Sequence, residues 1–107
     1  MSTDREQRLE HRRRLKKEYG ELYRQLTALL FRHDPMGINF EVNEDEYEIE
    51  VDTILPRLRD CHSENDVRGV LHQEFIRWFD AEFAGPEERY TDIAAEVWSL
   101  WQNSRLN

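Results

Sequence analysis

The chain has 107 residues, with 23 acidic side chains against 15 basic ones, for a formal charge of −8. No apolar run approaches the ~20 residues needed to span a bilayer, and no apolar segment near the start has the form of a secretory signal. A single cysteine, Cys61, cannot form an internal disulfide or supply a zinc site by itself, so the sequence reads as a cytoplasmic, unexported single domain over residues 1–107.

Helical periodicity begins at Asp4 and is predicted to continue to His33. Thr3 and Glu6 have capping-box spacing, and Leu15, Tyr19, Leu22, Leu26, Leu29 and Leu30 form one stripe. Residues 1–14 carry little of that stripe and read as a charged helical extension. Asp34-Pro35 ends the helix, because the residue before proline is pushed out of the α region and proline brings no N–H. A longer loop follows, with Met36, Ile38 and Phe40 expected to fold back onto the core.

Alternation over Phe40 to Val51 suggests a strand, but Asn43 and Glu46 as a capping box and the steps Tyr47, Val51, Ile54, Leu55 and Leu58 favour a helix from about Glu44. Pro56 should bend or split that helix near Asp52 and Thr53. Ser63 and Asp66 open a third helix, with Val67, Val70, Leu71, Phe75, Trp78 and Phe79 as its stripe, ending near Phe83 or Ala84. Gly85-Pro86 leads into a fourth, with Tyr90, Ile93, Val97, Leu100 and Trp101 on one face. The expectation is an all-α fold, a compact antiparallel bundle of four helices, with most of the aromatic rings in its core.

Charge is divided unevenly along the chain. Residues 1–33 hold nine Lys/Arg and five Asp/Glu, whereas residues 34–107 hold six and eighteen. Cations concentrate at Arg12, Arg13, Arg14, Lys16 and Lys17. Seven acids (Glu41, Glu44, Asp45, Glu46, Glu48, Glu50 and Asp52) occur without one base between them. In one reading the basic first helix partly neutralises the acidic second within the monomer. In another, the acids are a docking surface for a cationic protein, with Asn39, Glu41, Glu44, Asp45, Glu46 and Glu48 as its contact residues. A third, a nucleic-acid footprint over Arg12 to Lys17, works against the field of an acidic protein. Helix one is also a candidate surface for homo-oligomers.

Candidate chemistry is sparse. His33-Asp34 has the residue types of an oriented general base, and an enzyme would need His33, Asp34, Asp45 and Glu46 to converge; the simpler reading is a helix-terminal His followed by a turn-forming Asp. Cys61-His62 has no glycine-built oxyanion site nearby. The hard oxygen ligands from Asp34 to Asp45 do not fit the calcium-loop pattern, His62 and His72 are too far apart for a one-turn ligand pair, and the four glycines are scattered. Neither a metal nor a cofactor is expected.

The run Asp34-Pro35-Met36-Gly37-Ile38, followed by Asp45-Glu46-Tyr47 and later by Glu74-Phe75, Trp78-Phe79, Tyr90 and Ala95-Glu96-Val97-Trp98, resembles a family of short all-helical bacterial proteins known only as a domain of unknown function. The resemblance spans about residues 19–101 and implies a small helical bundle with no established activity. The sequence therefore points to a non-catalytic binding module for a basic protein. An immunity- or antitoxin-like role against a cationic toxin is one version, drawn from size, acidity and helical class.

Overall fold

The computed structural model describes residues 3–37 and 47–105, and among these every regular element is helical. Six α-helices occur: α1 (Asp4–Tyr19), α2 (Glu21–His33), α3 (Glu48–Ile54), α4 (Glu64–Phe79), α5 (Ala81–Ala84) and α6 (Thr91–Arg105). Two 3-10 turns, Leu55–Asp60 and Glu87–Tyr90, follow α3 and precede α6. The all-α class agrees with the sequence, whereas the four-helix count does not. No helix among the described residues is long and apolar enough to cross a membrane.

The expected first helix is two helices. Thr3 caps α1 by accepting a hydrogen bond from the Glu6 amide (3.1 Å), and Gly20 breaks the run with φ +53° and ψ −118°. The Gly20 amide closes α1 on Lys16 O, while its carbonyl accepts from Tyr23 N and opens α2. The apolar stripe runs through the break, from buried Leu15 to Leu22 and Leu26, so periodicity alone conceals it. Asp34 then ends α2 in the left-handed region (φ +48°), with its amide on Leu30 O.

Tyr47 ties the two sides of the following loop together. Its fully buried hydroxyl donates to Asp34 Oδ1 (2.7 Å) and accepts from the Met36 amide (3.1 Å). Met36 folds onto the core as expected. Ile38, Phe40 and the Asn43/Glu46 capping box lie outside the described residues.

Pro56 splits the second helix, although at Leu55 rather than near Asp52. Without an N–H, Pro56 cannot bond the carbonyl of Asp52, and His11 Nε2 lies 3.2 Å from that oxygen instead. α1 thus reaches over the defect that the proline creates.

Ser63 caps α4 by accepting from Asp66 N (3.1 Å), and Asp66 returns a bond to the His62 amide (2.8 Å). α4 stops at Asp80 instead of running to Ala84. Asp80 has φ +101° and ψ 167°, a region otherwise nearly confined to glycine, and its side chain accepts from Phe83 N (2.8 Å) to start the single turn of α5. Past Gly85, α6 begins at Thr91, later than Gly85-Pro86 implied, and packs against both α2 and α4.

The core is a stack of rings inside a shell of aliphatic side chains. Phe75 meets Tyr47 edge-on at 6.1 Å, Tyr90 at 5.3 Å and Phe79 at 5.9 Å, and the Tyr90 hydroxyl donates to Ala84 O (2.7 Å). Phe75 and Trp101 are buried, while Phe79 and Trp98 pack partly exposed against the core. Trp78 stands outside that cluster, half-buried, with its indole N–H on Thr53 Oγ1 (3.0 Å).

Two glycines test this description with opposite signs. Nothing lies within 4 Å of a Cβ added at Gly20, so Gly20→Ala isolates the backbone cost and should destabilise by about 1–2 kcal/mol in denaturant melts. Gly69 lies inside α4 with only Glu87 Oε1 nearby (3.7 Å), and Gly69→Ala should stabilise by up to about 1 kcal/mol.

Candidate protein-binding surfaces

Glu48 and Asp52 of α3 turn inward onto the bases of α1. Arg12 Nε donates to Asp52 Oδ2 at 2.9 Å and lies 3.4 Å from Glu48, and Lys16 Nζ is 3.3 Å from Glu48. The Tyr23 hydroxyl of α2 joins them, 2.6 Å from Asp52 Oδ1 and 3.2 Å from Glu48 Oε2. Residues four apart share one helix face, so Arg12/Lys16 and Glu48/Asp52 meet as two facing pairs one turn long.

The electrostatics follow from this enclosure. Burial first, and then the bond to Asp52, pushes the Tyr23 phenol well above its ordinary value, so it remains a donor. Burial disfavours the Arg12 charge, but the hydrogen bond and attraction from Asp52, with help from Tyr23 and Glu48, outweigh it and hold its pKa above normal.

Glu48, expected as a contact residue, therefore has only 14% of its side chain exposed and is already paired. Glu50 and Asp52 are also buried. Asn39, Glu41, Glu44, Asp45 and Glu46 lie outside the described residues. Of the basic run, Arg12 and Lys16 are committed to α3, whereas Arg13, Arg14 and Lys17 are exposed. An open cleft of about 490 Å³ beside Gly20 is lined by Lys16, Tyr23, Thr27 and Glu48, whose polar groups are already engaged within the fold.

His33 and Asp34 serve different partners. His33 Nε2 is 2.9 Å from Glu96 Oε2, beside Arg32 at 2.5 Å, while Asp34 accepts from Tyr47. The His33 bond, with the Arg32 charge, draws Glu96 below the usual carboxylate range. Asp45 and Glu46 of the same candidate set are outside the described residues. Cys61 is buried, its thiol donates to Arg57 O (3.6 Å), and burial raises its pKa, the reverse of an activated nucleophile. Among the described residues no cluster of His, Cys, Asp or Glu is placed to hold a metal ion.

A more accessible feature lies at α5. Phe83 is 51% exposed, and its ring contacts Phe79 at 5.9 Å, which continues the core stack of Tyr90 and Phe75 out to the surface. Between Asp80 and Asp92 there are five acids (Asp80, Glu82, Glu87, Glu88 and Asp92) and one base. That base, Arg89, folds over Gly85 and donates to Phe83 O and Ala84 O (both 3.1 Å). The sequence places Phe83 at the end of the third predicted helix; the break at Asp80, after which Phe83 stands exposed, is not visible there.

Comparison with family models, with curated proteins and with solved structures finds no match to this chain.

The inward network gives a direct test. Tyr23→Phe removes the hydroxyl that lies between Asp52 and Glu48 while preserving the ring, and should lower unfolding free energy by about 1–3 kcal/mol in urea melts. A change under about 0.3 kcal/mol would show the acids solvated instead.

Proposed function

We propose that this chain is a non-catalytic protein-binding module that engages a basic partner carrying an apolar anchor. The observation that carries the reading is Phe83, half exposed at the end of a buried aromatic stack, in a stretch of chain that also holds the exposed acids Glu82 and Glu88. A rigid ring with a charged rim is the composition of an interface centre, where burial of the ring contributes affinity and the charges contribute encounter rate and selectivity. Glu41, Glu44, Asp45 and Glu46 add four negative charges without an intervening base.

The internal use of Glu48 and Asp52 shifts the proposed contact from the 41–52 run as a whole to its first half and to the α5 end. Immunity or antitoxin action against a cationic protein is one role of this kind. The resemblance built on Asp34, Pro35, Gly37 and Tyr47 fits an architectural origin, since Asp34 and Tyr47 bond each other across the loop. The cytosol is the proposed compartment, in keeping with one buried reduced thiol.

The experiment is affinity capture at low salt with the wild-type chain and with Glu82→Lys/Phe83→Ser as baits, followed by identification of what each retains. Glu82 is exposed and Phe83 half exposed, so the variant should remain folded with a loss of about 1 kcal/mol in melting. Recovery of basic proteins should fall about tenfold or more with the variant. Equal recovery would refute the α5 docking surface.

A further inference from the structure

Among the described residues three large apolar side chains are exposed: Leu9 (36%), Ile49 (43%) and Phe83 (51%). Two of the three, Leu9 and Ile49, line one cleft of about 350 Å³ between the first turns of α1, α3 and the end of α4, together with Thr53 and Trp78. Its lining also holds Arg5, Arg8, Arg12 and Arg77, of which Arg12 is tied to Asp52, itself in the lining, and Arg77 to Glu74 (3.5 Å), so that Arg5 and Arg8 set the sign of its outer edge. The Arg77 guanidinium lies 5.5 Å from the Trp78 ring centroid, and the Trp78 indole is fixed on Thr53. A cation-rimmed apolar cleft in a protein of charge −8 runs against the sign of the whole molecule.

The α5 end has the opposite character, a half-exposed ring on a stretch of chain that carries the exposed acids Glu82 and Glu88, and so offers the chemistry that this cleft accepts. Both features flank the same end of α4. Trp78 looks into the cleft, while Phe79, rotated by about 100° around the helix, carries Phe83. Two complementary patches side by side on one molecule can be satisfied reciprocally by a single twofold axis.

We propose that a second copy of this chain occupies the cleft, with Phe83 of each protomer entering between Leu9, Ile49 and Trp78 of the other, and Glu82 and Glu88 meeting Arg5 and Arg8. The inference rests on the same Phe83 surface as the proposed partner site, so the dimer and a basic partner compete for it. Its salt dependence follows from exposed, screened charges at the rim.

Sedimentation equilibrium of the full chain tests this. At low salt the mass should rise with concentration from 13.0 kDa toward twice that value, and high salt should reverse the rise. Arg5→Glu/Arg8→Glu and Glu82→Arg/Glu88→Arg should each weaken association about tenfold or more, and their equimolar mixture should restore it, because reversed cleft then meets reversed knob at one contact and unaltered cleft meets unaltered knob at the other. The two variants carry net charges of −12 and −4, so overall attraction cannot produce that rescue. All four side chains are exposed, and melting curves confirm that each variant folds. Phe83→Ala supplies a second measurement with no charge change, and should also give a monomer. A wild-type chain that stays at 13.0 kDa, variants that associate like wild type, or a mixture that stays monomeric overturns the dimer. Each of these outcomes leaves the basic-partner reading to its own capture experiment; equal capture by the wild-type chain and by Glu82→Lys/Phe83→Ser, with an intact wild-type dimer, overturns only that reading.

Discussion

The arrangement of this protein depends on the docking of α1 against α3 by Arg12, Asp52 and the Tyr23 hydroxyl. α1 has one buried side chain, Leu15, and its other apolar anchor is the partly buried Tyr19 at its last turn, 6.2 Å from the Trp101 ring, which leaves its middle with little apolar surface to hold it in place. Its position is instead fixed by charge and hydrogen bonds at sites poor in water, where such pairs are stronger than at the surface but costly to break singly. His11 extends the same contact by reaching the Asp52 carbonyl that Pro56 leaves without an amide. The proline that weakens the second helix thereby becomes part of the α1 seat.

That docking decides which surface remains for other molecules. The acids Glu48 and Asp52 neutralise α1 and are not offered outward, while Arg5 and Arg8, earlier on α1, are left over the cleft floored by Leu9, Ile49 and Trp78. On the far side of α4, the break at Asp80 turns Phe83 outward rather than letting it continue the helix. Backbone strain at a non-glycine residue, Asp80, three residues before an exposed ring, places a conformational cost beside the proposed docking surface.

Much of this was legible before the fold was known. Thr3 and Ser63 cap the helices they were expected to cap, Pro56 splits its helix, and Asp34-Pro35 ends α2, because each of these effects is local and set by one residue's chemistry. The breaks at Gly20 and Asp80 were hidden for different reasons. The apolar stripe continues through Gly20 without a phase change, and Asp80 adopts its conformation under tertiary packing rather than by preference. The inward turn of Glu48 and Asp52 was not singled out by the sequence: Arg12/Lys16 and Glu48/Asp52 are matched pairs at a spacing of four, but Arg13/Lys17 and Glu41/Asp45 share that spacing, and which pairs meet is set by how the helices pack.

The central claim is that Arg12 and Asp52 form a single energetic unit holding α1 to the body. A double-mutant cycle with Arg12→Gln, Asp52→Asn and the double variant, followed by urea unfolding, measures that coupling directly. The account predicts about 1.5–3 kcal/mol, as for a largely enclosed, charge-assisted hydrogen bond. A coupling below about 0.5 kcal/mol, the range of exposed ion pairs, would mean that α1 is held by something else and that the α3 acids remain available to solvent.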